Sequence, residues 1–96
     1  MRELIAVPDL DKQILEKIAA GGKLNMQTWH TCETTHCRAG WAVTIAGEKG
    51  AVLEALQGTC AAASLIYAAS RPDKPIPDFF ATNEAAMESI RADAAA

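Results

Sequence analysis

The chain has 96 residues, a formal charge of −3 and a pI near 5.2, with half its residues hydrophobic and about a fifth charged. That is one domain's worth of chain with enough apolar content for a core, and with no disorder-like charge excess. The acidic balance, and basic residues scattered among acids from Lys12 to Arg91, exclude a nucleic-acid or anionic-membrane partner.

The start, MRELIAVPDLDKQ, has no long apolar stretch and runs straight into acids, so it does not read as a signal peptide. No apolar run approaches the roughly 18 to 20 residues that a membrane span needs, and a cytoplasmic location is expected. A cytosolic chain keeps its thiols reduced, and three cysteines is an odd number for a disulfide framework.

Scarce aromatics and abundant alanine favour closely packed helices. Strands have little support, although Leu4 to Val7 is compatible with an extended segment. Asp9, after Pro8, is placed to cap a first helix over Leu10 to Ala20, stopped by Gly21 and Gly22. Leu10, Ile14, Leu15 and Ile18 repeat at helical spacing, with Asp11, Lys12, Glu16 and Lys17 assigned to the solvent side. Lys23 to Thr35 lacks a period and reads as an ordered loop, laid on the core by Leu24, Met26 and Trp29.

Thr34 or Thr35 is expected to cap a second helix that ends near Ala46, with Gly47 as its stop. From Cys37 to Ala46 its only charge is Arg38, so it reads as the buried central helix. A third helix is predicted over Glu48 to Gln57, stopped by Gly58. Thr59 then caps a fourth, nearly apolar one, CAAASLIYAAS. Pro72, Pro75 and Pro77 hold a stiff connection, anchored by Phe79 and Phe80. Thr82 or Asn83 opens the last helix, on which Ala86, Met87 and Ile90 share a face. No internal repeat is visible. The expected fold is all-α: a single compact domain, 1–96, of four or five short helices around a buried central one.

Trp29 to Trp41, WHTCETTHCRAGW, concentrates the candidate chemistry. His30, Cys32, His36 and Cys37 are the ligand types zinc prefers. Their spacing is poor for one ion: on a helix, neighbours such as His36 and Cys37 point about 100° apart. Zinc motifs return with a distant second pair, and Cys60 is the only further soft ligand here. A second reading makes Cys37, in the first turn of a helix, a thiolate activated by the dipole, with His30 or His36 as base and Arg38 adding positive charge. No Asp or Asn is evidently placed to orient the imidazole, and no catalytic residue is assigned. CxxxxC is not the CxxC redox spacing.

A third reading is architectural. Cys37, Gly40, Trp41, Thr44 and Ile45 lie at helical spacing as a packing face, with Cys32 over the helix start. On it, Trp29, Cys32, Thr34, Cys37, Arg38, Gly40 and Trp41 are structural or interaction residues. Arg38 is expected to form a salt bridge with Glu33 or another acid, Tyr67 to send its hydroxyl to water, and the acids to be solvated.

Asn25, Met26 and Trp29, followed by Cys32, Thr34, Cys37, Ala39 and Gly40, match a spacing pattern. It resembles one in small uncharacterised bacterial and phage-associated proteins, (Asn/Asp)-Met-x-x-Trp leading into Cys-x-Thr-x-x-Cys-x-Ala-Gly. Glu33 stands where that pattern often has glycine. The pattern requires neither histidine, so the resemblance implies a paired-cysteine core and an accessory role tied to mobile elements. The functional expectation is a small non-enzymatic binding or accessory protein without a cofactor, acting through protein partners or self-association, for instance as a homodimer. The alternative is a zinc-binding or thiol-dependent protein using His30, Cys32, His36 and Cys37.

Overall fold

The computed structural model describes residues 5–27 and 35–95, together with the backbone of 30–32. These form a compact, mostly helical domain measuring 32 × 29 × 23 Å. Among the described residues five helices carry it: α1 (Leu10–Ala19), α2 (Arg38–Ile45), α3 (Gly47–Gln57), α4 (Thr59–Ser70) and α5 (Asn83–Ala95). Three short strands also occur, β1 (Lys23–Leu24), β2 (His30–Cys32) and β3 (Thr35–His36).

Helix α1 follows its apolar repeat, with Leu10 and Ile14 buried and Lys12, Glu16 and Lys17 exposed. Asp9 precedes it but does not cap it with its side chain: its backbone is left-handed, φ 53° and ψ 43°. The Gln13 amide instead donates to the Asp9 carbonyl at 2.9 Å, and Gln13 Nε2 donates to the Pro8 carbonyl at 2.7 Å. At the other end Gly21, φ 118°, turns the chain back as only glycine does freely. The amides of Ala20, Gly21 and Gly22 then close on the carbonyls of Glu16, Ile18 and Lys17.

The segment after Gly22 is not a plain loop. β3 is the middle strand of a three-stranded sheet in the order β1-β3-β2. It runs parallel to β1, with Leu24 opposite His36, and antiparallel to β2, with His30 opposite His36. Two-residue strands carry no usable alternation, so the pairing is set by tertiary position and not by local pattern. At the N-terminus, Leu4 lies outside the described residues. Ile5 is helical and Val7 is not in a strand; the Val7 amide donates to Ser70 Oγ at 2.8 Å.

Helix α2 is buried from Arg38 through Val43 and packs on α1, α3 and α4. It ends at Ile45, and Gly47, φ 73°, is the first residue of α3. Gly58, φ 86°, separates α3 from α4. Thr59 does not cap α4; its hydroxyl donates to Glu54 Oε2 at 2.7 Å, tying the two helices at their junction. Ala62, Ala63, Ile66 and Tyr67 turn inward, and burying a side chain such as Ile66 contributes about 1.5–3 kcal/mol.

In the proline-rich connection Phe79 is buried, its ring centroid 5.8 Å from that of Tyr67. Phe80 faces out, 76% exposed, so one phenylalanine and not both anchors the segment. Thr82 Oγ1 accepts from the Ala85 amide at 3.2 Å and caps α5, which buries Ala86 and Ile90 and half-buries Met87 along α1. Among the described residues no helix is long and apolar enough to cross a membrane.

Candidate functional site

The sequence points to the entry of α2, and part of that region is described. Trp29, Glu33 and Thr34 lie outside the described residues. His30 and Cys32 are placed as backbone in β2, and their side chains lie outside the description.

Thr35 is in β3, and the residue at the helix cap is Cys37, not a threonine. Its Sγ accepts from the Gly40 amide at 3.3 Å, in the position a serine oxygen usually takes. The Arg38 amide is met by a second sulfur, Met26 Sδ, at 3.4 Å. Met26 is held in turn by Asn83, whose Oδ1 accepts from its amide at 2.7 Å.

Cys37 is therefore a cap and not a first-turn residue. Burial pushes its thiol up, against the lowering effect of the Gly40 and Ala39 amides, so the dipole does not win here. Cys37 and Cys60 are both free thiols.

His36 is buried and sits edge-on to Trp41, with ring centroids 4.7 Å apart. Trp41 Nε1 donates to the Lys23 carbonyl at 2.9 Å, which fixes β1 against α2. Gly40 is buried, and its carbonyl accepts from Thr44 Oγ1 at 2.8 Å. Among the described residues no three His, Cys, Asp or Glu side chains converge as metal ligands.

The densest polar chemistry lies elsewhere, around Arg38. Its side chain is 1% exposed and reaches three other helices. Nε donates to Tyr67 Oη at 3.0 Å, Nη1 to Ser89 Oγ at 2.8 Å, and Nη2 to Asp11 Oδ1 and Asp93 Oδ2, each at 2.8 Å. The acid expected beside Arg38 is thus Asp11 with Asp93. Tyr67 does not reach for water; its hydroxyl donates to Asp11 Oδ1 at 2.6 Å. Arg71, just past α4, adds Nη1 bonds to Asp11 Oδ2 at 2.6 Å and Asp93 Oδ2 at 2.7 Å. Two guanidinium charges thus meet two carboxylates, and the cluster is neutral overall.

Asp11 and Asp93 correct the expectation that the acids are solvated: Asp11 is 5% exposed and Asp93 25%. A sequence signal for this existed. Asp11, Ile14, Leu15 and Ile18 stand at i, i+3, i+4 and i+7, which places Asp11 on the apolar stripe. Asp93 likewise follows Ala86 and Ile90 at i+7 and i+3.

Burial lifts the Tyr67 hydroxyl well above its ordinary range, and the Asp11 charge adds to this against the opposing pull of Arg38. Tyr67 therefore stays protonated as a donor, and the cluster is suited to fastening helices together. Burial opposes the charge on Asp93, but hydrogen bonds from Arg71 and Arg38 outweigh it and hold the carboxyl below its ordinary value.

A carboxyl depressed in the folded state binds protons more readily unfolded, so its stabilisation is complete above the unfolded pKa. It is lost as pH falls through the lower folded value. Stability from Asp93 should thus be full above about pH 3.8 and decline below it. Urea midpoints between pH 5 and pH 2 should fall less steeply in Asp93→Asn than in the parent. Equal slopes would remove Asp93 from the acid response.

A third feature is a surface. On α3, Ala51, Val52, Ala55 and Leu56 are all exposed, with Val52 at 56% and Leu56 at 75%. Between Lys49 and Gln57 this outward face carries no charge. Leu65, on the adjoining α4, is also exposed.

A scan against protein-family models finds no match to the chain, and searches of curated proteins and of solved structures likewise find none.

Proposed function

We propose that the chain is a small non-enzymatic binding or accessory protein that works through protein partners or self-association, with α3 as its contact face. The observation that carries this reading is the exposed Ala51–Val52 and Ala55–Leu56 stripe. Scattered exposed apolar residues are ordinary, but large ones stacked one turn apart on one helix face mark contact surfaces. The alanines beside Val52 and Leu56 give ridges next to grooves, the geometry by which helices interlock. An interior given over to a neutral fastening cluster, with Tyr67 held protonated, fits a scaffold better than a catalyst. The accessory role implied by the resemblance at Asn25 to Gly40 agrees with this reading.

Leu56→Glu tests it. At 75% exposure the substitution leaves the core untouched, so circular dichroism and the urea midpoint should stay within about 0.5 kcal/mol of the parent. Sedimentation of the parent should show concentration-dependent association, or capture from an extract should retain a partner. The charge should weaken whichever is seen by about tenfold or more, since it would be desolvated at the contact. A parent that stays monomeric and captures nothing that Leu56→Glu releases would overturn the proposal.

A further inference from the structure

Beside the ion cluster lies a cleft of about 190 Å³ whose wall holds an arginine with unfilled donors. A guanidinium has five N–H groups. Arg71 spends both from Nη1 on Asp11 and Asp93, and one from Nη2 on the Pro75 carbonyl at 2.8 Å. Its Nε is buried without a hydrogen-bond partner among the described residues. The remaining donors thus belong to adjacent nitrogens, Nε and Nη2, the pair that forms a fork for a carboxylate. Buried polar groups in native structures are paired, so an orphan here marks a place for an acceptor.

A simple anion does not suit the rest of the lining. Asp9, Asp11, Asp73 and Asp93 face the cleft against Lys12, Arg71 and Lys74, so an anion would enter a lining that is slightly negative. Asp93 gives Oδ2 to both arginines, and its Oδ1 has no partner among the described residues. An unpartnered Arg71 Nε and an unused Asp93 oxygen therefore belong to two residues already joined through Arg71 Nη1 and Asp93 Oδ2 at 2.7 Å. The rim residue Asp9 is also the only non-glycine residue with positive φ among those described. Such strained conformations concentrate at binding sites.

We propose that this cleft binds a small zwitterion, a free α-amino acid of about the size of glycine or alanine. Its carboxylate lies on Arg71 Nε and Nη2, and its ammonium faces Asp93 Oδ1 and Asp73. The turn over Arg71 is closed by the Lys74 amide on the Arg71 carbonyl at 3.1 Å and by Nη2 on Pro75. It has to shift for the carboxylate to reach Nε, so the amides of Asp73 and Lys74, between Pro72 and Pro75, report on binding.

The test is titration of the isotope-labelled full chain with L-alanine and glycine, read by amide chemical shifts. Acetate, methylammonium and inorganic phosphate serve as comparisons that carry charge of one sign only. Alanine should give saturable shifts at the amides of Asp11, Arg71, Asp73, Lys74 and Asp93, with each one-sign probe about tenfold weaker or more. Arg71→Lys keeps the charge but removes the fork, and should lose about tenfold in affinity. Should that variant fail to fold, Asp73→Asn at the exposed rim keeps the fold and should bind alanine about threefold more weakly. No saturable shift with either amino acid would overturn the proposal. So would acetate or phosphate binding as tightly as alanine, or unchanged alanine affinity in the variants that fold.

Discussion

Asp11→Asn is expected to lower the unfolding free energy by about 3–5 kcal/mol, the cost of breaking a buried ion pair by removing one partner. The replacement has nearly the same shape, so little packing is lost and the effect isolates charge. Asp11 is the shared acceptor for Arg38 Nη2, Arg71 Nη1 and the Tyr67 hydroxyl. With a neutral amide in its place, two guanidinium charges face Asp93 alone, and one of them is 1% exposed. A domain of this size has roughly 5–14 kcal/mol of stability in all, so this one atom change consumes a large part of it.

The converse substitution separates charge from shape. Replacing Asp11 and Arg38 together by leucine and methionine should cost much less than the sum of the single changes, because no buried charge is then orphaned at Asp11. Urea denaturation followed by circular dichroism measures both. A loss below about 1 kcal/mol in Asp11→Asn would mean that the cluster is hydrated and does not fasten the helices.

Gly50→Ala is expected to destabilise by about 1–3 kcal/mol through overpacking, although the same change in an exposed helix interior gains about 1 kcal/mol. The sign is reversed by what surrounds Gly50. It is buried in the first turns of α3, where the chain doubles back on α2. A Cβ placed there falls on the carbonyl oxygen of Val43 and lies 2.8 Å from the Ala46 Cβ. Neither is the flexible end of a long side chain. Relief requires the last turn of α2 to move, and Val43 is itself buried in the core. Chemical denaturation of the purified variant decides it, and a neutral or stabilising result would show that the α2–α3 junction is free to open.

The helices were legible because their signals are local. Leu10, Ile14 and Ile18 repeat at the helical period, Gly21 and Gly58 stop helices where a stop was expected, and Thr82 caps the last one. The β1-β3-β2 sheet was not legible. Its strands are two or three residues long, too short for alternation, and they pair across a segment with no hairpin signal. The cap of α2 is not legible for a chemical reason: sulfur is a weak acceptor, so Cys37 and Met26 do not advertise themselves as partners for helix amides.

The candidate chemistry divides in the same way. The crowding of His36, Cys37 and Trp41 drew attention to the entry of α2, and these three do come together there, as a buried cap and an aromatic contact. Asp11, Tyr67, Arg71, Ser89 and Asp93 are spread over 83 positions and carry no common spacing. Arg38, alone in an apolar helix, hinted that something must neutralise it, and Asp11 and Asp93 showed themselves only by falling in register with apolar residues of their helices.

The sequence by itself determined that the chain is acidic and mostly helical, that Arg38 needs an acid, and where most helices begin and end. Those properties follow from composition and from interactions within one or two turns. The tertiary structure alone decided which acids Arg38 meets, that Tyr67 bonds inward, that the segment after Gly22 pairs as a sheet, and that α3 turns an apolar face outward. These depend on charge pairing and burial between residues tens of positions apart, and burial is a property of the packed whole rather than of any segment.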